Sequence, residues 1–193
     1  PREREFPLML LVPQEEWLIG FCAKYGFAQT FDAGVEQMLL LKKVLDLHPG
    51  DLQAAYRAFD SHFRGCEMTL QKTYDDFCAI VEEASLYHFP PKKNLIGMSR
   101  IIDVERLLQL YAAAQDDINF SLKVVDPLLS RNSGIFSISG GIAIKVEQPI
   151  DSMLELAITD LTQHLMGYHT SERGEQIATL FPEKVPAMHY MLE

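Results

Sequence analysis

Along most of this chain the apolar residues recur every three or four positions, the spacing of one helix face. The pattern predicts helices over residues 14–25, 32–47 and 51–63, with Asp32 and Asp51 as N-caps and His48-Pro49-Gly50 as a break. In a fourth helix the stripe runs Leu70, Tyr74, Phe77, Val81 and Ala84, with His88 next in register. In a fifth it runs Ile101, Val104, Leu108, Tyr111, Gln115, Ile118, Leu122, Val125 and Leu129. Read as one element over residues 99–126, this is a helix of roughly 40 Å and the expected spine of the fold. Ser152 to Glu155 reads as a capping box opening a helix that continues to Tyr168, and a shorter helix follows near Ser171 to Phe181.

One stretch breaks the pattern. From Gly134 to Glu147 apolar and polar positions alternate around Ser139-Gly140-Gly141, the signature of a β-hairpin over residues 135–147. Leu8 to Val12, bracketed by Pro7 and Pro13, suits an edge strand, and with the hairpin it can make a small three-stranded sheet. The expected fold is therefore α+β and predominantly α-helical, with about seven helices around the long central helix at 99–126. No linker or composition shift divides the chain, so residues 1–193 read as a single domain. Residues 1–5 read as a loose N-terminus and 192–193 as a cloning remnant.

Charge narrows the partners. The net charge is −10, from 17 Lys and Arg against 27 acids, so the clustered cations that neutralise phosphates are lacking and nucleic acid is not an expected partner. The longest basic cluster is Lys92-Lys93. No apolar run approaches the roughly 18 residues of a membrane span. Cys22, Cys66 and Cys78 form no Cys-x-x-Cys pair and cannot close a full disulfide set, which suits reduced, mostly buried thiols in a cytoplasmic protein.

Candidate chemistry is sparse, and no catalytic or metal-ligating set stands out. Asp160 and His164 share a helix face at i, i+4, with His169 nearby, but two ligands do not make a zinc site. Ser139-Gly140-Gly141 precedes a strand rather than a helix N-terminus, so it reads as a turn and not a phosphate loop. Trp17, Phe21, Tyr25, Phe27 and Phe31 read as core, with an apolar pocket as the alternative. The candidate ligand contacts are His88, on an otherwise apolar stripe, with Gln115 and Tyr111 on the seam of the fifth helix. No cofactor is implied.

The functional expectation is a cytoplasmic, non-enzymatic protein–protein interaction or regulatory module. Met38 to Leu41, Leu107 and Leu110 supply surplus apolar surface and make a homo-oligomer the expected state. Two alternatives stand beside it. One is a sensor or carrier that binds an apolar small molecule or haem between the helices; the other is an enzyme whose site is assembled from distant residues such as Asp160 and His164.

Overall fold

The computed structural model describes residues 6–34, 40–66, 68–89, 95–115, 117–148 and 153–189. In chain order they form β1 (Leu8–Leu11), α1 (Glu16–Ala23), β2 (Ala28–Phe31), α2 (Leu41–Leu47), α3 (Leu52–Arg64), α4 (Tyr74–Leu86) and β3 (Gly97–Ile101). There follow α5 (Val104–Ala113), β4 (Phe120–Val125), β5 (Gly134–Ser139), β6 (Ile142–Val146), β7 (Met153–Ala157), α6 (Ile158–Leu165) and α7 (Glu175–Leu180). The chain divides into two compact units: residues 1–30 with 97–183, and residues 31–96 with 184–193.

The first unit holds two sheets, one of three strands ordered β1-β3-β2 and one of four ordered β6-β5-β4-β7. In the larger sheet β4 and β5 are antiparallel, β5 and β6 are antiparallel, and β7 runs parallel to β4. Alternation sorts the faces. Leu122 and Val124 of β4, Phe136 and Ile138 of β5, and Leu156 of β7 point into one core with Val104, Leu108 and Ala112 of α5 and Ile158, Leu161 and Leu165 of α6. The hairpin β5–β6 turns on Gly140 and Gly141, both at positive φ (55° and 76°), as a two-residue turn requires. Gln109 of α5 clamps that turn: its side-chain amide donates to Gly141 O (3.2 Å) and accepts from Ala143 N (3.1 Å).

A buried polar network ties the two sheets of this unit together. Arg100, on the fully buried β3, donates from Nη2 to both carboxylate oxygens of Asp126 at 3.0 Å and from Nη1 to Gly26 O at 3.3 Å. Asp126 also accepts from Asn132 Nδ2 (2.9 Å) and from the Leu128 and Leu129 amides (3.0 and 3.1 Å). Gly26 is required here, because a Cβ on it would fall 2.0 Å from Arg100 Nη1.

The second unit packs α2, α3 and α4 around Leu41, Val44, Ala55, Phe59, Phe63, Phe77, Ile80 and Ala84. Asp51 caps α3 by accepting from Ala54 N, and Thr73 and Asp76 form a reciprocal capping box on α4. The end of the chain straps onto this unit. Ala187 N donates to Met68 O, Leu95 N donates to Met188 O, and the buried His189 ring stacks on Phe63 with centroids 3.6 Å apart.

Several sequence expectations are corrected. The fold is not predominantly helical, because two sheets share it with seven helices among the described residues. The long central helix does not exist: α5 ends at Ala113, and Phe120–Val125 is a strand whose Leu122 and Val125 also fit a helical spacing. The helix expected from the capping box begins only at Ile158. Met153–Ala157 is β7, and Ser152 lies outside the described residues. The hairpin is present, but it belongs to the four-stranded sheet, while β1 pairs with β3 instead. Trp17, Phe21 and Tyr25 are exposed rather than core, whereas Phe31 is buried. The cysteines are free, with Cys66 exposed and Cys22 and Cys78 half-buried. Leu40 is half-buried, Leu41 is buried, and Met38 and Leu39 lie outside the described residues, as do Lys92 and Lys93.

Candidate functional site

A well-formed concavity lies within the first unit, where the ends of β4, β5 and β7 meet α7. Register places it: Phe120 pairs with Ile138, Ser121 with Ser137 and Met153, and Leu122 with Leu154. The cleft has a volume of about 730 Å³. Phe120, Ile138, Leu154 and Leu180 supply its apolar wall. Asn119, Ser121, Ser137, Ser139, Gln176 and Thr179 supply hydroxyl and amide groups. Glu175 is the one charged residue among the described lining residues.

Each wall follows from local sequence. In β4 and β5 the alternation sets serines beside inward aliphatic and aromatic residues, so the strand ends carry both chemistries. Glu175 and Thr179 stand one turn apart on α7, as do Gln176 and Leu180, so the helix offers one mixed face to the cleft. Thr179 Oγ1 donates to Glu175 O (2.8 Å), and Ser139 Oγ donates to Asn119 Oδ1 (2.6 Å), bridging the strand end to the loop before β4.

The expected site residues fall elsewhere. Tyr111 stands behind the wall: its hydroxyl donates to Leu180 O, and its ring packs on Phe181 at 5.5 Å. Burial pushes this phenol up to about 12, and the Gln115 side chain beside it opposes the rise. Tyr111 and Gln115 thus come together on the support of α7. His88 lies in the second unit, exposed, at φ 56° just past α4. Asp160 and His164 do not form a carboxylate–imidazole pair. His164 Nδ1 bonds the backbone carbonyl of Asp160, while the Asp160 carboxylate faces Arg173 Nη1 at 3.6 Å. A carbonyl only accepts, so Nδ1 carries the hydrogen. Burial lowers the pKa of His164, whose ring packs edge-on to Phe181. His169 pairs instead with Glu172 (2.9 Å). Among the described residues no group of three or more His, Cys, Asp or Glu is placed to hold a metal ion, and no helix is long and apolar enough to cross a membrane.

Comparison with known proteins places this geometry. A family model described as a sterol carrier protein domain matches residues 104–184, the span that contains every residue named on the cleft. Solved structures share the fold over nearly the whole chain. A conserved protein of unknown function from Enterococcus faecalis, titled a probable N-acyltransferase, aligns with a TM-score of 0.62 at 14% identity, covering 97% of this chain and 72% of that one. A GCN5-related N-acetyltransferase from Anabaena variabilis aligns at 0.59 and 14%, covering 97% and 73%. One from Kribbella flavida aligns at 0.56 and 11%, covering 97% and 72%. At such identities the likeness is one of fold. No curated protein matches the sequence. The expectation of a non-enzymatic interaction or regulatory module is overturned by these findings, and the alternatives set beside it accord better with them.

Proposed function

We propose that the first unit binds an apolar or amphipathic small molecule in the cleft between the ends of β4, β5 and β7 and the face of α7. The observation that carries the reading is the cleft itself: about 730 Å³, walled by both apolar and hydroxyl-bearing side chains, inside the sterol-carrier match. That volume lies within the range of small-molecule sites. The apolar wall offers area for a hydrocarbon body, and the serine, threonine and amide groups offer hydrogen bonds to a polar end. With Glu175 as the charge among the described lining residues, the cleft favours a neutral or cationic polar end over a carboxylate or phosphate. Tyr111 acts in this reading as support for the wall, by holding Leu180 and Phe181 in place, with the Gln115 side chain beside its hydroxyl.

The test is binding of Nile red, a neutral apolar dye, measured by fluorescence titration. Thr179→Trp fills the cleft from an exposed helix position, so the fold is spared. The expected result is saturable binding to the parent and at least tenfold weaker binding to the variant. Equal binding by both would overturn the reading.

A further inference from the structure

Helix α1 is an apolar helix with no buried residue. Trp17 and Phe21 on α1, with Tyr25 in the turn just past its end, form a stripe at i, i+4 and i+8, exposed by 65%, 46% and 53%. The rings already touch each other, with centroids 6.2 Å apart for Trp17 and Phe21 and 5.2 Å apart for Phe21 and Tyr25. Gly20 sits beside them, exposed, and a Cβ there would meet nothing within 4 Å. A glycine inside a helix costs stability relative to alanine, and nothing among the described residues needs its lack of a side chain. The charges of the helix are polarised: Glu15 and Glu16 lie exposed at its start and Lys24 lies exposed at its end.

We propose that this face is an interface between two copies of the chain, formed by antiparallel packing of α1 on α1 about a two-fold axis near Gly20 and Phe21. The arrangement is self-complementary, as a two-fold interface must be. It sets Trp17 against Tyr25 of the partner subunit and Glu16 against Lys24 of the partner subunit. Gly20 lets the two backbones approach at the crossing, where a larger residue would hold them apart. The three rings expose roughly 350 Å² per copy, scaled from typical aromatic areas. A stable interface needs about 800 Å² per partner, so the stripe by itself gives a weak dimer that forms at micromolar concentrations. The proposal is independent of the cleft, and it uses none of the residues from which the sequence suggested an oligomer.

Trp17 is the only tryptophan in the chain, so its emission reports directly on this face. The experiment follows the emission maximum and the sedimentation mass from about 1 to 200 μM, the weak-interface range expected above. The mass is expected to rise above 21.9 kDa with concentration as the Trp17 emission shifts to the blue. Gly20→Glu adds a side chain in open space, so it leaves the melting temperature undiminished while abolishing both changes. Lys24→Glu is expected to weaken association about fivefold, as for an exposed ion pair, and Glu16→Lys added to it to restore the affinity. A mass that stays at 21.9 kDa throughout, or association that persists unchanged in Gly20→Glu, would overturn the proposal. So would a Trp17 blue shift obtained only with phosphatidylcholine vesicles, which would assign the face to a lipid surface.

Discussion

Breaking the Arg100–Asp126 pair on one side alone is expected to cost far more than removing charge from both partners. The two side chains are 4% and 0% exposed, so neither charge can recover water if its partner is lost. Arg100→Met leaves a carboxylate buried with Asn132 and two backbone amides but no cation. Asp126→Asn keeps the shape but leaves the guanidinium without its counter-charge. Each single change is expected to cost about 3–5 kcal/mol. In the double variant no unpaired charge remains, and the loss should fall to about 1–2 kcal/mol, the value of the hydrogen bonds surrendered. The coupling between the two sites is therefore large, roughly 3 kcal/mol or more. Urea unfolding followed by circular dichroism reads this directly: with a slope of about 2 kcal/mol/M, each single variant loses about 2 M in midpoint and the double variant much less. The pair also leaves a signature in acid. Burial alone would raise Asp126, but the bonds from Asn132, Arg100 and the Leu129 and Leu128 amides outweigh it and hold the carboxyl below its ordinary range. A depressed acid stabilises the fold above its unfolded pKa and loses that contribution as pH falls through the folded value. The parent should thus lose stability on acidification more steeply than Arg100→Met. Additive losses, with the double variant as unstable as the sum of the singles, would refute the reasoning.

Three further outcomes follow from the packing. Leu108→Ala, at a site with no exposure on α5, should cost about 2–5 kcal/mol in thermal or urea unfolding; a loss under about 1 kcal/mol would mean the core of the first unit closes around the gap. Gly140→Val or Gly141→Val should each cost about 1–3 kcal/mol, since both residues hold positive φ; unchanged melting temperatures would refute a strained turn. His189, fully buried on Phe63, is lowered to about 4 by burial first, with the Lys72 and His62 charges adding to the effect. The unfolded histidine binds its proton near its ordinary value, so stability is complete above about pH 6.5 and falls as pH drops toward 4, by about 3 kcal/mol in all. A His189→Leu variant should lose this part of the pH dependence, and an identical acid profile for both proteins would count against it.

Much of the local structure is legible in the sequence. Asp51 caps α3, the apolar stripe of α4 buries Phe77 and Ala84, and Gly140-Gly141 turns the hairpin, because each depends on neighbours a few residues away. The misreadings share one cause. Leu122 and Val125 fit a helical spacing of three, Leu122 and Val124 fit an alternating strand, and only pairing with β5 and β7 decides between the two. Gly97–Ile101 carries a serine and an arginine yet is buried throughout, which no hydropathy pattern anticipates.

The cleft was not legible for the same reason. Phe120, Ile138, Leu154 and Thr179 are separated by long stretches of chain, and no spacing joins them. A weak sign was present in the serines that alternate with apolar residues at Ser121, Ser137 and Ser139, but such serines are equally ordinary on a solvated strand face. What the sequence determines alone is what short-range forces settle: caps, turns, helix faces, and the acidic balance that disfavours phosphate. What the tertiary structure decides is partnership. A strand satisfies its backbone only through a neighbour, a buried arginine is tolerable only because Asp126 reaches it, and a cleft exists only where distant ends meet.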